Sequence, residues 1–166
     1  LGGQRVGLPP PAHQPRLHLL RGHFAERIGG DPARGANAGV TAVHSLSYPL
    51  GGKYGVPHGL ANTLLLPHVM AFNLPGNPEK FAFIAEAMGE MIDGLPLREA
   101  SWLAVEAVET LIEDCGVHTT LEDLNIPRES FPELAKVAMT VARPLENNPR
   151  KLTIDDAMEI YEEAYG

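Results

Sequence analysis

His44 and His58 are the pair of side chains in this sequence that could bind a metal ion together. Their positions differ by 14, which on one straight helix would separate them by about 21 Å. Five proline and glycine residues, from Pro49 to Pro57, interrupt such a helix. The sequence instead predicts a helix, a loop and a second helix, an arrangement that can bring the two imidazoles together.

His58 is predicted to lie in the first turn of its helix, where the positive end of the helix dipole disfavours a protonated ring. A neutral ring offers the lone pair that a metal ion needs, and Gly59 leaves space for another group to approach. A structural role is the alternative: His44 would bond to a carbonyl, and His58 would only begin a helix. Spacing alone leaves both open, because two histidines at an arbitrary separation are a weak metal signal.

The elements that must position these residues are predicted to be helices, because apolar residues recur at steps of three and four and no segment alternates like a strand. We expect Pro49 to end the first helix and Pro67 to kink the second. Capping-box patterns begin the last two, at Ser130-x-x-Glu133 and Thr153-x-x-Asp156. The predicted helices span residues 38–48, 58–72, 77–88, 97–115, 130–142 and 153–164. The expected fold class is an all-α helical bundle.

The composition argues against several other classes of function. The chain has 13 Lys and Arg against 21 Asp and Glu, and its net charge of −8 disfavours nucleic acid and anionic membranes as partners. Cys115 is the only cysteine, so neither an internal disulfide nor a four-thiolate zinc site can form. There is no signal peptide and no run of about 18 apolar residues, which predicts a cytoplasmic protein.

Three strings around the two histidines resemble the signature of the iron-containing (group III) alcohol dehydrogenases. Residues 43–52 read VHSLSYPLGG, residues 56–62 read VPHGLAN and residues 65–70 read LLPHVM. The similarity continues through Asn-Pro-Arg at 148–150 and Thr153, and it covers about residues 36–166. The resemblance implies that residues 37–166 form the all-helical C-terminal domain of a two-domain enzyme.

In that family the N-terminal domain holds NAD or NADP, and the helical domain holds one divalent metal, usually Fe²⁺ and sometimes Zn²⁺. One Asp and three His bind the metal, and the two C-terminal histidine ligands correspond to His44 and His58. The metal would polarise the oxygen of an alcohol or aldehyde while hydride passes to or from the nicotinamide.

The sequence departs from the family pattern at two places. The other two ligands, an Asp followed four residues later by His, lie upstream of His44 in the family. Here Asp31 is the only upstream aspartate, and Gly35 stands four residues after it. Tyr48 occupies a position where many members carry a third His, so it is our candidate catalytic residue. A phenol can donate a hydrogen bond, but in water it titrates near pH 10 rather than near neutrality.

The resemblance therefore predicts the C-terminal fragment of a metal-dependent, NAD(P)-dependent alcohol dehydrogenase. We expect this fragment to be inactive alone, because the nucleotide-binding domain is missing as a partner. We also expect it to form a homo-oligomer, such as a dimer, through the face that this domain would cover. The alternative is a non-catalytic helical module for assembly or interaction. Stoichiometric metal in the protein would favour the enzyme.

Residues 1–36 form an irregular segment rich in Arg, Pro and Gly, with one candidate helix at 17–28. The family similarity is expected to stop at about Ala36. One hypothesis is that residues 1–35 are translated from a shifted reading frame, and the alternative is a genuine but divergent extension. Reading the coding DNA of this segment in the other two frames would give helical, family-like sequence under the first hypothesis and none under the second.

Overall fold

The computed structural model describes residues 41–166, except for the side chains of residues 142 and 143. The segment 1–36, its candidate helix and the predicted domain boundary near residue 37 lie outside the described residues. The described part contains helices and no strand, which confirms the predicted all-α class. The seven helices are α1 (Ala42–Tyr54), α2 (His58–Asn73), α3 (Pro78–Met88), α4 (Leu97–Asp114), α5 (Phe131–Ala138), α6 (Ala142–Glu146) and α7 (Ile154–Glu163).

Helix α1 does not end at Pro49 as expected but continues through it to Tyr54. A proline inside a helix removes one backbone hydrogen bond. Here its neighbours Leu46 and Leu50 are completely buried, and the burial of such side chains outweighs the loss of that bond. The helix ends instead at Gly55, whose φ of 69° is left-handed and whose N–H donates to the carbonyl of Gly51 at 3.0 Å.

The remaining helix boundaries follow local signals except at the two ends of α5. Thr153 and Asp156 form the predicted capping box: Thr153 Oγ1 accepts from the Asp156 N–H at 3.2 Å, and Asp156 Oδ2 accepts from the Thr153 N–H at 2.8 Å. The Thr153 hydroxyl also donates to Asp156 Oδ2 at 2.6 Å, and this bond lowers the pKa of the Asp156 carboxyl. The capping box predicted at Ser130 is wrong, because the Ser130 hydroxyl donates to the carbonyl of Pro127 at 2.7 Å. The helix that follows ends at Ala138 rather than near residue 142, and α6 is separate from it.

Two hydrophobic cores hold the helices together. The larger joins α1, α2, α5 and α7, and its largest fully buried side chains are Tyr161, Phe131, Leu46, Leu50, Leu65, Leu121, Ile126 and Leu134. The smaller lies mainly between α3 and α4 and consists of Leu74, Phe81, Ala85, Ala104 and Val105. Helix α2 contacts both α1 and α4, so it connects the two cores.

Tyr161 on α7 ties the larger core to the backbone of α1. Its ring is fully buried, lies 5.6 Å from the Phe131 ring between centroids, and its hydroxyl donates to the carbonyl of Leu46 at 2.6 Å. Burial raises the pKa of the Tyr161 hydroxyl far above its ordinary value. Because Leu46 lies between His44 and Tyr48, this bond fixes the part of α1 that carries the candidate site.

The Asn-Pro-Arg motif at 148–150 ties the ends of α1 and α2 together. The side-chain amides of Asn73 and Asn148 donate to each other at 3.0 and 2.7 Å, and Asn148 Oδ1 also accepts from the backbone N–H of Ala42 at 3.4 Å. The Arg150 guanidinium donates to the backbone carbonyl of Phe72 and lies 4.1 Å from the centroid of the Phe72 ring. The motif that carried part of the family resemblance therefore has a structural role, because it connects α1 to α2 by hydrogen bonds.

Within the described part of the chain, none of the helices combines the length and the apolar character needed to cross a bilayer.

We predict that Asn148→Ala lowers the free energy of unfolding by about 2–3 kcal/mol, because it leaves the buried Asn73 amide without its partner. Urea denaturation followed by circular dichroism measures the effect. Asn147→Ala is the matched control, since it removes the same side chain at an exposed neighbouring position. Equal denaturation midpoints for the two variants would contradict the role given to Asn148.

Candidate metal centre

The turn between α1 and α2 brings His44 and His58 together. His44 lies near the start of α1, and His58 is the first residue of α2, as predicted. Their ring centroids are 5.6 Å apart, with 47° between the ring planes. Tyr48 lies one helical turn after His44 on the same face of α1, and its ring stacks on His58 with centroids 5.7 Å apart and planes within 11°. The structure therefore groups all three site residues predicted from the sequence.

The spacing of the two imidazoles can be compared with that required by a metal ion. Nitrogen ligands lie about 2.0–2.1 Å from a tetrahedral metal such as Zn²⁺, which places the centroids of two bound imidazoles about 5.2 Å apart. The observed separation of 5.6 Å is close to this value. Imidazole also suits iron as a ligand, so the chemistry of the donors and their spacing both fit a shared ion.

The environment of His44 favours the neutral ring that a metal requires. Burial lowers the pKa of His44, and the neighbouring His58 lowers it further. Its Nδ1 atom is inaccessible to solvent and has no hydrogen-bond partner. The alternative interpretation, in which a carbonyl satisfies this ring, therefore finds no support at Nδ1. A buried ring nitrogen without a partner is unusual in a folded protein and marks a position where function is to be sought.

His58 is more exposed and has a polar partner at each ring nitrogen. The Ser47 hydroxyl lies 3.4 Å from His58 Nδ1, and the Asn62 side-chain amide lies 3.0 Å from His58 Nε2. Neither partner was predicted from the sequence. The four-residue spacing of His58 and Asn62 on one helix could have indicated the second contact. The approach of Ser47 has no such signal, because it depends on how α1 packs against α2.

The described residues do not by themselves form a complete metal-binding shell. Among residues 41–166, no group of three or more His, Cys, Asp or Glu side chains is placed to hold a metal ion. The sequence does contain an Asp-x-x-x-His spacing downstream, at Asp114 and His118. However, α4 ends at Asp114, and Gly116 between the two has a left-handed φ of 76°. This spacing therefore does not place the two residues on one helix face.

A largely apolar cavity of about 470 Å³ adjoins Tyr48. It lies where α1 meets α5 and is lined by Tyr48, Pro49, Gly52, Lys53, Glu133, Leu134 and Val137. Lys53 forms an ion pair with Glu133, whose hydrogen bond raises the pKa of the lysine ammonium. Tyr48 is 42% exposed, so one residue lines this cavity and also stacks on His58.

His68, which belongs to the third family-like string, does not join this group. It lies on α2 with its Nδ1 3.6 Å from a carboxylate oxygen of Glu163 on α7. Burial lowers the pKa of His68, while Glu109 acts in the opposite direction. This position between helices agrees with a packing role.

Comparison with protein families identifies a match to the Fe-containing alcohol dehydrogenase family, C-terminal, over residues 32–165. The similarity to the family thus begins upstream of Ala36, where it was expected to stop. Lactaldehyde reductase of Escherichia coli (strain K12) is 41% identical over 167 residues, and that alignment takes in 92% of the chain and 44% of the relative. The alignment therefore extends into the N-terminal segment.

Two further relatives agree with this match. The 1,3-propanediol dehydrogenase of Citrobacter freundii is 42% identical over 142 residues, covering 86% of this chain and 36% of the relative. The crystal structure of a 1,3-propanediol oxidoreductase matches with a TM-score of 0.73 and 42% identity, covering 75% of this chain and 32% of that one. The chain thus spans less than half the length of the relatives that it matches. Because the family match takes in most of its residues, the chain belongs to the Fe-containing alcohol dehydrogenase family and corresponds to its C-terminal part.

Proposed function

We propose that this chain is the metal-binding part of a metal-dependent, NAD(P)-dependent alcohol dehydrogenase, which interconverts an alcohol and an aldehyde or ketone. The observation that carries the proposal is the pairing of His44 and His58, two imidazoles at the spacing of a shared ion in a chain of the iron-containing family. Burial and proximity oppose the protonation of His44, which supports its role as a ligand.

In this proposal His44 and His58 contribute two ligands to Fe²⁺, with Zn²⁺ as the alternative. The bound ion would supply Lewis-acid polarisation of the substrate oxygen. Two imidazoles form only part of the coordination shell of such an ion, and the remaining ligands come from outside the described residues. NAD or NADP would accept or donate the hydride, bound by a nucleotide-binding domain that supplies the other side of the site. We therefore propose that the chain alone is inactive.

Tyr48 has two roles in this proposal. Its ring covers one face of His58 and thereby orients the imidazole and keeps water from that face. Its partly exposed hydroxyl can donate a hydrogen bond to the oxygen of an alcohol or aldehyde. The apolar cavity beside it has room for the carbon chain of a small substrate. Tyr48 is thus the residue of this chain that we propose contacts the reacting group.

A non-catalytic helical assembly module is the second candidate. It is favoured by the large apolar side chains that the described surface exposes, namely Tyr48, Met91, Leu95, Leu97, Trp102, Leu111, Val137 and Ile154. Exposed apolar side chains mark protein contacts where they form a contiguous patch. They agree equally with the first candidate, in which a nucleotide-binding domain and a second copy of the chain would cover them. The cytoplasmic location stays a prediction.

We predict that the purified chain holds little Fe or Zn, and that it takes up about one metal ion per chain when a nucleotide-binding domain from a relative is supplied. Metal analysis after gel filtration measures this. His44→Ala and His58→Ala should each abolish the uptake, because each removes a ligand. His118→Ala is the control, since it removes an exposed histidine far along the sequence. Uptake that survives both ligand substitutions, or that never occurs, would contradict the proposal.

We also predict that the chain self-associates, because its exposed apolar side chains lack a cover. Light scattering over a range of concentrations should give a mass approaching at least twice the 17.9 kDa of one chain. Trp102→Gln should weaken the association, since this ring is 46% exposed. A strictly monomeric, compact particle at high concentration would count against a homo-oligomer.

A further inference from the structure

We propose that Ser47 is a positioning residue that holds His58 in the tautomer with hydrogen on Nδ1, so that Nε2 carries the lone pair that a metal ion needs. The inference deepens the proposed metal site and rests on that function for its purpose. The tautomer itself follows from the hydrogen bonds around the ring.

The first step concerns the single hydrogen of the Ser47 hydroxyl. Ser47 is only 1% exposed, and its Oγ donates to the backbone carbonyl of His44 at 3.0 Å. A carbonyl oxygen can only accept, so this bond uses the one hydrogen that the hydroxyl carries. At its 3.4 Å contact with His58 Nδ1, the hydroxyl oxygen is therefore the acceptor. The hydrogen in that contact must belong to Nδ1.

The second step concerns the opposite side of the ring. The Asn62 side-chain nitrogen lies 3.0 Å from His58 Nε2, and an amide nitrogen can only donate. Nε2 must then present its lone pair. The two contacts, which come from different helices, select the same tautomer. The other tautomer would require the Ser47 hydrogen to leave the His44 carbonyl and the Asn62 amide to turn over. The turned amide would bury an NH₂ group where Oδ1 now has no partner.

The third step is the consequence for a ligand site. Metal-binding histidines generally donate their other ring N–H to a fixed acceptor, which sets the tautomer and the orientation of the ring. Ser47 supplies that acceptor here. It also joins the backbone of one imidazole-bearing residue to the ring of the other, because the same oxygen contacts both His44 and His58. Asn62 now contacts the lone pair of Nε2, so its amide would have to leave Nε2 for an ion to bind there.

The test is the ¹⁵N NMR spectrum of the His58 ring nitrogens in the labelled, metal-free chain at pH 8.5, where imidazoles are largely neutral. We expect the Nδ1–H tautomer to predominate in the unmodified chain. Ser47→Ala should shift the ratio of tautomers about fivefold toward Nε2–H, which corresponds to the loss of one hydrogen bond. An unmodified chain with mainly Nε2–H, or a Ser47→Ala chain with an unchanged ratio, would overturn the inference.

Ser45→Ala is the matched control. Ser45 lies on the same helix, is completely buried, and donates to the carbonyl of Val141 at 3.5 Å rather than approaching His58. The Ser45→Ala substitution should leave the ratio of tautomers unchanged, although it also removes a buried serine hydroxyl from α1. Should Ser47→Ala fail to fold, mainly Nε2–H in the unmodified chain would still overturn the inference, because its spectrum reports the tautomer directly.

A titration with Zn²⁺ separates this inference from the proposed function. In the unmodified chain we expect excess Zn²⁺ to shift the Nε2 signal of His58, and in Ser47→Ala we expect about tenfold weaker binding. Mainly Nδ1–H without any response of His44 or His58 to Zn²⁺ would contradict the metal site and leave the role of Ser47 in the tautomer supported. A response to Zn²⁺ in a chain with mainly Nε2–H would support the metal site and contradict the role given to Ser47.

Discussion

The reversal of the chain at Gly55 fixes the distance between the two helices that carry the imidazoles. Its left-handed backbone closes α1 through the bond to Gly51, and α2 begins three residues later with His58. A residue with a side chain would be strained there. Val56 within this turn is buried in the larger core, so the turn cannot move away from the helices. The separation of the imidazoles is therefore set by a short backbone segment.

Helix α1 is held in place along the length that carries the site. Asn148 bonds to its first turn at Ala42, Tyr161 bonds to the carbonyl of Leu46, and Leu50 is buried in the larger core. These contacts come from different parts of the sequence, so the orientation of His44 and Tyr48 depends on the whole bundle. The polar side chains between them then set the chemistry: burial disfavours a charged His44, and Ser47 meets the ring of His58.

Local signals predicted most of the fold, because helix starts and ends depend on a few adjacent residues. The capping box at Thr153 is of this kind. The predicted end of α1 is wrong because packing of the helix in the core outweighs the local cost of Pro49. The histidine pair could be found from its motif. Asn62 lies four residues after His58 on the same helix, a spacing that could have indicated its contact. Ser47 could not be assigned to the pair, since tertiary packing places it there.

On the proposed function, the exposed side of the candidate centre is where a partial metal-binding shell would be completed. The described bundle holds two imidazoles at fixed spacing, yet His58 and Tyr48 stay exposed. Two ligands on a pair of helices joined by a short turn bind an ion weakly. A second domain that brings further ligands adds its own free energy of binding to that of the first two ligands. On the proposed function, assembly with the nucleotide-binding domain would then complete the shell, exclude water and place the hydride carrier in one step, because all three depend on covering the same exposed face.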